Sequence, residues 1–280
     1  MVSMYRFNEM KNIREEEFKR SVGISSTQFE SLLSSIKQYI EESRQKNPMK
    51  RRGISGALTL EDKLLLTLYY LRHYATFSML GQGFGISESY ANKVYHSISS
   101  MLLKVLHVPG PKTLMDEKLE CILIDVSEQP IERPSQGQKE YYSGKKKRHT
   151  IKAQLVVCAL TLQILCVVCA KGKVHDFNVL KESNFAIASQ IQKRVDSGYQ
   201  GMQKLYQNTH IPYKKPKGGE LTPEQKQYNR QLAKERIYIE HVNRRCKIFR
   251  IVKETYRGKH KNFGKTWNLI AGIVNLRYAA

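Results

Sequence analysis

Apolar residues in this chain follow two spacing patterns, changing over near Pro109. Before it they recur at helical intervals. Phe29, Leu32, Leu33 and Ile36 follow the capping run Ser25-Ser26-Thr27. Leu64, Leu65, Leu68 and Leu71 follow Thr59, and Ala91, Val94, Tyr95, Ile98 and Leu102 follow Ser87. A short helix opens at Phe77-Ser78-Met79-Leu80 and closes near Gly83-Phe84-Gly85-Ile86, while Lys46–Gly56 (KNPMKRRGISG) reads as a basic linker. After Pro109-Gly110-Pro111 the runs shorten. Cys121-Ile122-Leu123-Ile124 predicts a strand ending at Asp125, and two strands follow at 150–159 and 163–170. A helix is expected from His175 to Ile187, and a more polar strand from Ile191 to Asp196. Helices from Pro223 to Ile251 and from Trp267 to Tyr278 complete the chain. The prediction is an α/β mixed sheet preceded by an all-α region.

Charge narrows the function classes. The 280 residues carry 47 Lys+Arg against 25 Asp+Glu, a net charge of +22, and 41% are hydrophobic. That leaves enough apolar material for a core and a surface that attracts polyanions, nucleic acid first among them. The charge is uneven: residues 1–110 are net +5 and residues 111–280 net +17. The start, Met1-Val2-Ser3-Met4-Tyr5-Arg6, has no apolar signal region, so an intracellular protein is expected. Ile151–Ala170 approaches membrane-spanning length, but Lys152, Gln154, Thr161 and Gln163 interrupt it, and two buried strands explain it better. Five cysteines do not make a disulfide framework, and Cys166 and Cys169 read as strand residues, not metal ligands.

A short helix, a glycine-containing turn and a capped second helix over residues 57–110 form a helix-turn-helix pattern. It would turn Ser89, Asn92, Lys93 and His96 outward, as a major-groove reader requires. An ordinary helical hairpin gives the same pattern.

Two aspartates stand at predicted strand ends, Asp125 and Asp196, where ligands gather on an open α/β sheet. On the long helix, Arg236, Glu240, Arg244 and Lys247 share one face, apart from the apolar stripe Ile239, Val242, Cys246 and Phe249. Three such carboxylates suit two divalent ions of the hard type, Mg²⁺ or Mn²⁺, acting on a phosphodiester. Each acid taken alone has an ordinary reading as a cap, an ion-pair partner or a solvated group.

At these residues the chain resembles the DDE transposases of bacterial insertion sequences, in the branch related to Harbinger elements. The resemblance rests on Asp125-Val126-Ser127-Glu128-Gln129-Pro130, the basic hairpin Tyr141–Thr150, the loop Gly172-Lys173-Val174-His175-Asp176, the segment Asp196-Ser197-Gly198-Tyr199-Gln200-Gly201, and Arg236, Glu240 and Lys247 at R-x3-E-x6-K spacing. It departs from the family at Val126-Ser127 and at Ala233. The resemblance implies an RNase H-like catalytic domain over 111–280, a helix-turn-helix domain over 57–110, and a helical segment over 1–50. It also implies a catalytic, metal-binding triad of Asp125, Asp196 and Glu240 holding two ions, with Asp176 as rival for the second position. DNA contacts are expected from Lys145, Lys146, Lys147 and Arg148 in the hairpin, and from Arg236, Arg244 and Lys247. The implied activity is binding of terminal inverted repeats, hydrolysis at element ends and strand transfer into double-stranded target DNA by a homodimer or larger assembly. A descendant kept only for DNA binding would be marked by loss of a triad acid, and none is lost. A stand-alone metal nuclease would differ in not joining the freed end to a second duplex.

Overall fold

The computed structural model describes residues 6–46 and 56–277, so nearly all of the Lys46–Gly56 linker lies outside the described residues. The chain forms two compact units. The first holds six helices: α1 (Phe7–Met10), α2 (Glu15–Val22), α3 (Ser26–Lys46), α4 (Leu60–His73), α5 (Phe77–Phe84) and α6 (Glu88–Val105). Each long helix starts where its cap directs. Ser25 Oγ accepts from Gln28 N while Gln28 Oε1 accepts from Ser25 N, and Thr59 and Asp62 cap α4 reciprocally in the same way. Ser87 caps α6 through the Tyr90 amide. Gly85, at φ +64°, ends α5 in the left-handed region and makes the turn into α6. Phe29, Leu32, Leu33, Ile36, Leu64, Leu65, Leu68, Leu71, Ala91, Val94, Ile98 and Leu102 are all buried.

A segment distant in sequence completes this unit. Ile248–Ile251 belongs to it, although the residues on either side belong to the second unit. Phe249 is 1% exposed, and its ring lies where a β-carbon on Gly23 would stand, 2.5 Å away. Gly23 is at φ +86°, so glycine there serves both the turn after α2 and the seat of the ring. Arg72 donates from Nε to the Arg20 carbonyl at 3.1 Å and from Nη1 to the Ile248 carbonyl.

The second unit is built on β1 (Cys121–Pro130), the short α7 (Gln138–Tyr141) and β2 (Tyr142–Ser143), β3 (Arg148–Cys158), β4 (Ile164–Lys171), α8 (Asp176–Glu182), β5 (Gln192–Arg194), β6 (Thr209–His210), α9 (Pro223–Lys247) and α10 (Phe263–Asn275). The sheet runs β4-β3-β1-β5-β6, with β2 beside the start of β3. β3 lies antiparallel between β1 and β4, and β5 and β6 join parallel to β1. This is a mixed sheet after an all-α unit, as the sequence led us to expect. Leu114, Ile122, Ile124, Val156, Leu180, Val195 and Tyr199 pack on one face. Asn275 exchanges two 2.9 Å hydrogen bonds with the Ile164 backbone and pins α10 to β4. Trp267 is fully buried in α10.

Several boundaries differ from the sequence reading, among them the end of β5, which stops at Arg194 and leaves Asp196 two residues beyond the strand. β1 continues five residues past Asp125, because Val126–Pro130 pairs with Gln154–Thr150 although its inward residues, Ser127 and Gln129, are polar. The helix after His175 stops at Glu182, where Ser183 leads into Asn184 at φ +53°. α9 ends at Lys247 and α10 starts at Phe263. The polar β5 is accommodated by Lys193, whose buried ammonium donates to the carbonyls of Ala188, Ser189 and Gln207 at 2.9, 3.4 and 3.0 Å. Among the described residues, no helix is long and apolar enough to cross a membrane.

The discontinuity of the first unit yields an expectation. Phe249→Ala should destabilise the helical unit by about 3–5 kcal/mol, the usual cost of emptying a buried aromatic site. Amide exchange in α2 and α4 would show it as faster opening, while protection in β1 and β3 should stay near wild type.

Candidate active site

Two neighbouring parallel strands bring the first acids together. Leu123 of β1 is paired with Arg194 of β5, so two residues further on lie Asp125 and Asp196. β5 ends at Arg194, and β1 continues without it. Asp125 therefore lies in mid-strand, correcting the expectation that it ends one. The β5 end still leaves it at an opening of the sheet.

Asp196 turns into the 3₁₀ turn Ser197–Tyr199, and its Oδ1 accepts from the Gly198 amide at 2.9 Å. Asp176, the first residue of α8, approaches from the other side of Gly198. A β-carbon on Gly198 would stand 2.9 Å from Asp176 Oδ2 and 3.0 Å from Asp196 Oδ1. Only glycine admits both carboxylates at this spacing. Asp176 differs from its neighbour in having its own cation: Lys152 Nζ lies 2.8 Å from Asp176 Oδ1 and also donates to the Val174 carbonyl at 2.6 Å.

The third wall is α9. Arg236 Nη2 lies 3.9 Å from Asp125 Oδ1, and Asn243 Nδ2 donates to Asp125 Oδ2 at 2.7 Å. Residues seven apart share a helix face, so the face bearing Arg236 and Asn243 is turned to Asp125. Glu240 lies between them, one turn after Arg236, and is exposed at the edge of that face. Arg244 is exposed and Lys247 half-buried. Beneath the acids, Tyr199 is fully buried and donates to Gln154 Oε1 at 2.8 Å. Burial raises the Tyr199 hydroxyl well above its usual range, and Asp125, Asp176 and Asp196 add to the shift.

Electrostatics single out Asp125. Burial pushes its carboxyl up to about 6; Arg236 opposes the shift, while Asp196 and Asp176 reinforce it. Among the described residues, Asn243 Oδ1 and Arg236 Nε are buried without a hydrogen-bond partner. A concentration of hard oxygen donors, short of positive charge and with a carbonyl oxygen to spare, fits a divalent cation such as Mg²⁺ or Mn²⁺. With the side chains in their present positions, no three His, Cys, Asp or Glu among the described residues form a closed ion cage.

The other predicted residues lie elsewhere. On α6, Ser89, Lys93 and His96 are exposed and Asn92 half-buried. Lys145, Lys146 and Lys147 are exposed in the turn between β2 and β3, and Arg148, also exposed, opens β3. Cys166 and Cys169 both fall in β4 as free thiols. Sequence reasoning does not assign Asn243, Lys152 or Gln154 to the site. Asn243 had a legible signal, its seven-residue spacing from Arg236. Lys152 and Gln154 had only their polarity within an apolar strand.

Comparison with known proteins identifies the family. A family profile described as "DDE superfamily endonuclease" matches residues 124–275, and one described as "Helix-turn-helix of DDE superfamily endonuclease" matches 56–106. The chain belongs to the DDE superfamily endonucleases. It is 38% identical over 278 residues to the "Probable transposase for insertion sequence element IS702" of Microchaete diplosiphon, covering 98% of this chain and 99% of that one. It is 26% identical over 239 residues to the "Putative transposase for insertion sequence element IS112" of Streptomyces albus G, covering 83% and 84%. No solved structure matches. Enzymes of this superfamily normally use divalent metal ions, and the helix-turn-helix unit implies DNA as partner.

Two outcomes follow for the metal-free protein. A folded-state pKa of about 6 against the usual 3.8 means that Asp125 favours folding while protonated. That contribution is complete below about pH 4 and lost as pH rises through about 6. Ionised at pH 7, Asp125 costs about 3 kcal/mol, from two pKa units at about 1.36 kcal/mol each. In chelator at pH 7, Asp125→Asn should therefore melt several degrees above wild type, with the advantage gone near pH 4; equal melting at pH 7 would contradict the shift. Gly198→Ala should force Asp176 and Asp196 apart. Its nuclease activity should fall by at least tenfold while its melting temperature changes little.

Proposed function

We propose that the chain is an insertion-sequence transposase in which residues 57–110 bind the terminal inverted repeats and residues 111–280 carry out cleavage and strand transfer. The observation that carries this reading is the meeting of Asp125 and Asp196, each two residues past the last paired residues of β1 and β5, beside the α9 face that bears Arg236 and Asn243, with Glu240 at its edge. Ser89, Asn92, Lys93 and His96 on α6 would reach base edges in the major groove.

Asp125, Asp196 and Glu240 would hold two Mg²⁺ or Mn²⁺ ions. Divalent ions bound there supply activation of an attacking hydroxyl and stabilisation of the leaving oxygen. The chain's own residues prepare the site. Asn243 fixes one oxygen of Asp125 and so aims the carboxylate, while Arg236 moderates the local negative charge. Lys152 neutralises Asp176, which makes Asp176 a buttress for the Asp196 turn and leaves Asp196 as the second metal ligand. Lys145–Arg148 would hold a phosphate backbone as the scissile bond is presented. Hydrolysis frees a 3′-hydroxyl at the element end, and that hydroxyl then attacks a phosphodiester of the target duplex, displacing its 3′ oxygen. Two ends must be held together for this, which calls for a dimer or a larger assembly.

The test is cleavage of the element's terminal sequence in Mn²⁺. Asp196→Ala should lose at least a thousandfold in rate, and Asp176→Ala less than Asp196→Ala, with lowered thermal stability. Equal cleavage by Asp196→Ala and wild type would overturn the triad. Asn243→Leu should keep DNA affinity and lower the cleavage rate about tenfold or more.

A further inference from the structure

Apart from Arg244, the outer face of α9 has no part in the contacts above, yet its charges are sorted. At about 100° per residue, Arg244, Ile237, Arg230, His241, Lys234 and Tyr238 lie with Lys226, Gln227 and Arg245 in a sector of roughly 120°. The sector begins next to Glu240 and lies opposite the buried stripe of Leu232, Ile239, Val242 and Cys246. Arg230, Lys234 and Arg244 are exposed, as are Ile237 at 45% and Tyr238 at 50%; the Tyr238 and His241 rings meet edge to face at 6.3 Å. No acid falls in this sector. The three in α9 are Glu224 in its first turn, Glu235, which pairs with Arg194 at 2.8 Å, and Glu240 just outside the sector.

A merely solvated helix face gains by alternating signs, because opposite charges four residues apart support the helix and like charges weaken it. Here Arg230 and Lys234 stand four residues apart as like charges, while Lys226 one turn earlier pairs with Glu220, and an aliphatic and an aromatic side chain are left in water beside them. Cations interleaved with an exposed ring match a nucleic-acid strand, whose phosphates pair with the cations and whose bases or sugars cover the ring.

We propose that the outer face of α9 is a second DNA-binding surface, separate from the helix-turn-helix unit, that tracks the backbone of the duplex running past the carboxylate site. Arg230, Lys234 and Arg244 take phosphates, and Tyr238 packs on a sugar or base. This surface deepens the transposase reading and rests on it for the identity of the polyanion.

The test is equilibrium binding of the full chain to a random-sequence duplex, in chelator, across a range of salt. Binding then needs neither ions nor the triad, so failure here leaves the catalytic reading standing, and an active Asp196→Ala would leave this surface standing. Arg230→Gln with Lys234→Gln should reduce the slope of log affinity against log salt by about 1.8, or about 0.9 per phosphate contact. Tyr238→Ala should weaken binding severalfold with the slope unchanged. Circular dichroism of each variant should match wild type; if the double variant is misfolded, Lys234→Gln alone should lower the slope by about 0.9. Unchanged slope and affinity in folded variants would overturn the proposal. So would polyglutamate displacing the duplex from wild type as well as competitor DNA does, since an acidic protein would then be the better partner.

Discussion

Burial of the Asp125 carboxylate beside Asp196 and Asp176 is the constraint around which the catalytic unit is arranged. A carboxylate withdrawn from water ionises at a cost, and acids beside it add to that cost. The fold meets this in different ways at each acid. Lys152 reaches across from β3 to neutralise Asp176, and Asp196 is stabilised by the Gly198 amide. Asp125 is left with a distant guanidinium and one amide donor, and its pKa rises to about 6. Stability is given up at the position where a cation would restore it.

The same constraint explains small details of the backbone. Gly198 lies between two carboxylates because any β-carbon would collide with both. β5 is short, so the flank of β1 opens just before Asp125, and its polar sequence is tolerated because Lys193 is held by three carbonyls. α9 carries the site on one face, the core on another and an acid-free basic sector on the outside. The chain's net charge of +22 thus has a local counterpart, an acidic centre bordered by cations.

Much of this was legible in the sequence, for identifiable reasons. Helical spacing behind strong caps marked α3, α4 and α6, and Val/Ile/Cys-rich runs marked β3 and β4. Where the pattern misled, tertiary pairing overrode local composition. Val126–Pro130 does not alternate between apolar and polar residues, so β1 was read as ending at Asp125, yet its partner β3 extends it. Phe249 fitted the apolar stripe of α9, but the helix stops at Lys247 and the ring fills the core of the helical unit. The roles of Asn243 and Lys152 depend on contacts 118 and 24 residues away in sequence, respectively, which no local pattern encodes.

The central claim is that Asp125 and Glu240 belong to one ion-binding centre although they lie on separate elements. Mn²⁺ binding to the DNA-free protein, followed by calorimetry or by loss of the free-ion spin signal, tests it directly. Wild type should bind Mn²⁺, and Asp125→Asn and Glu240→Gln should each weaken that binding by at least tenfold while remaining folded. Undiminished binding in either variant would contradict the account.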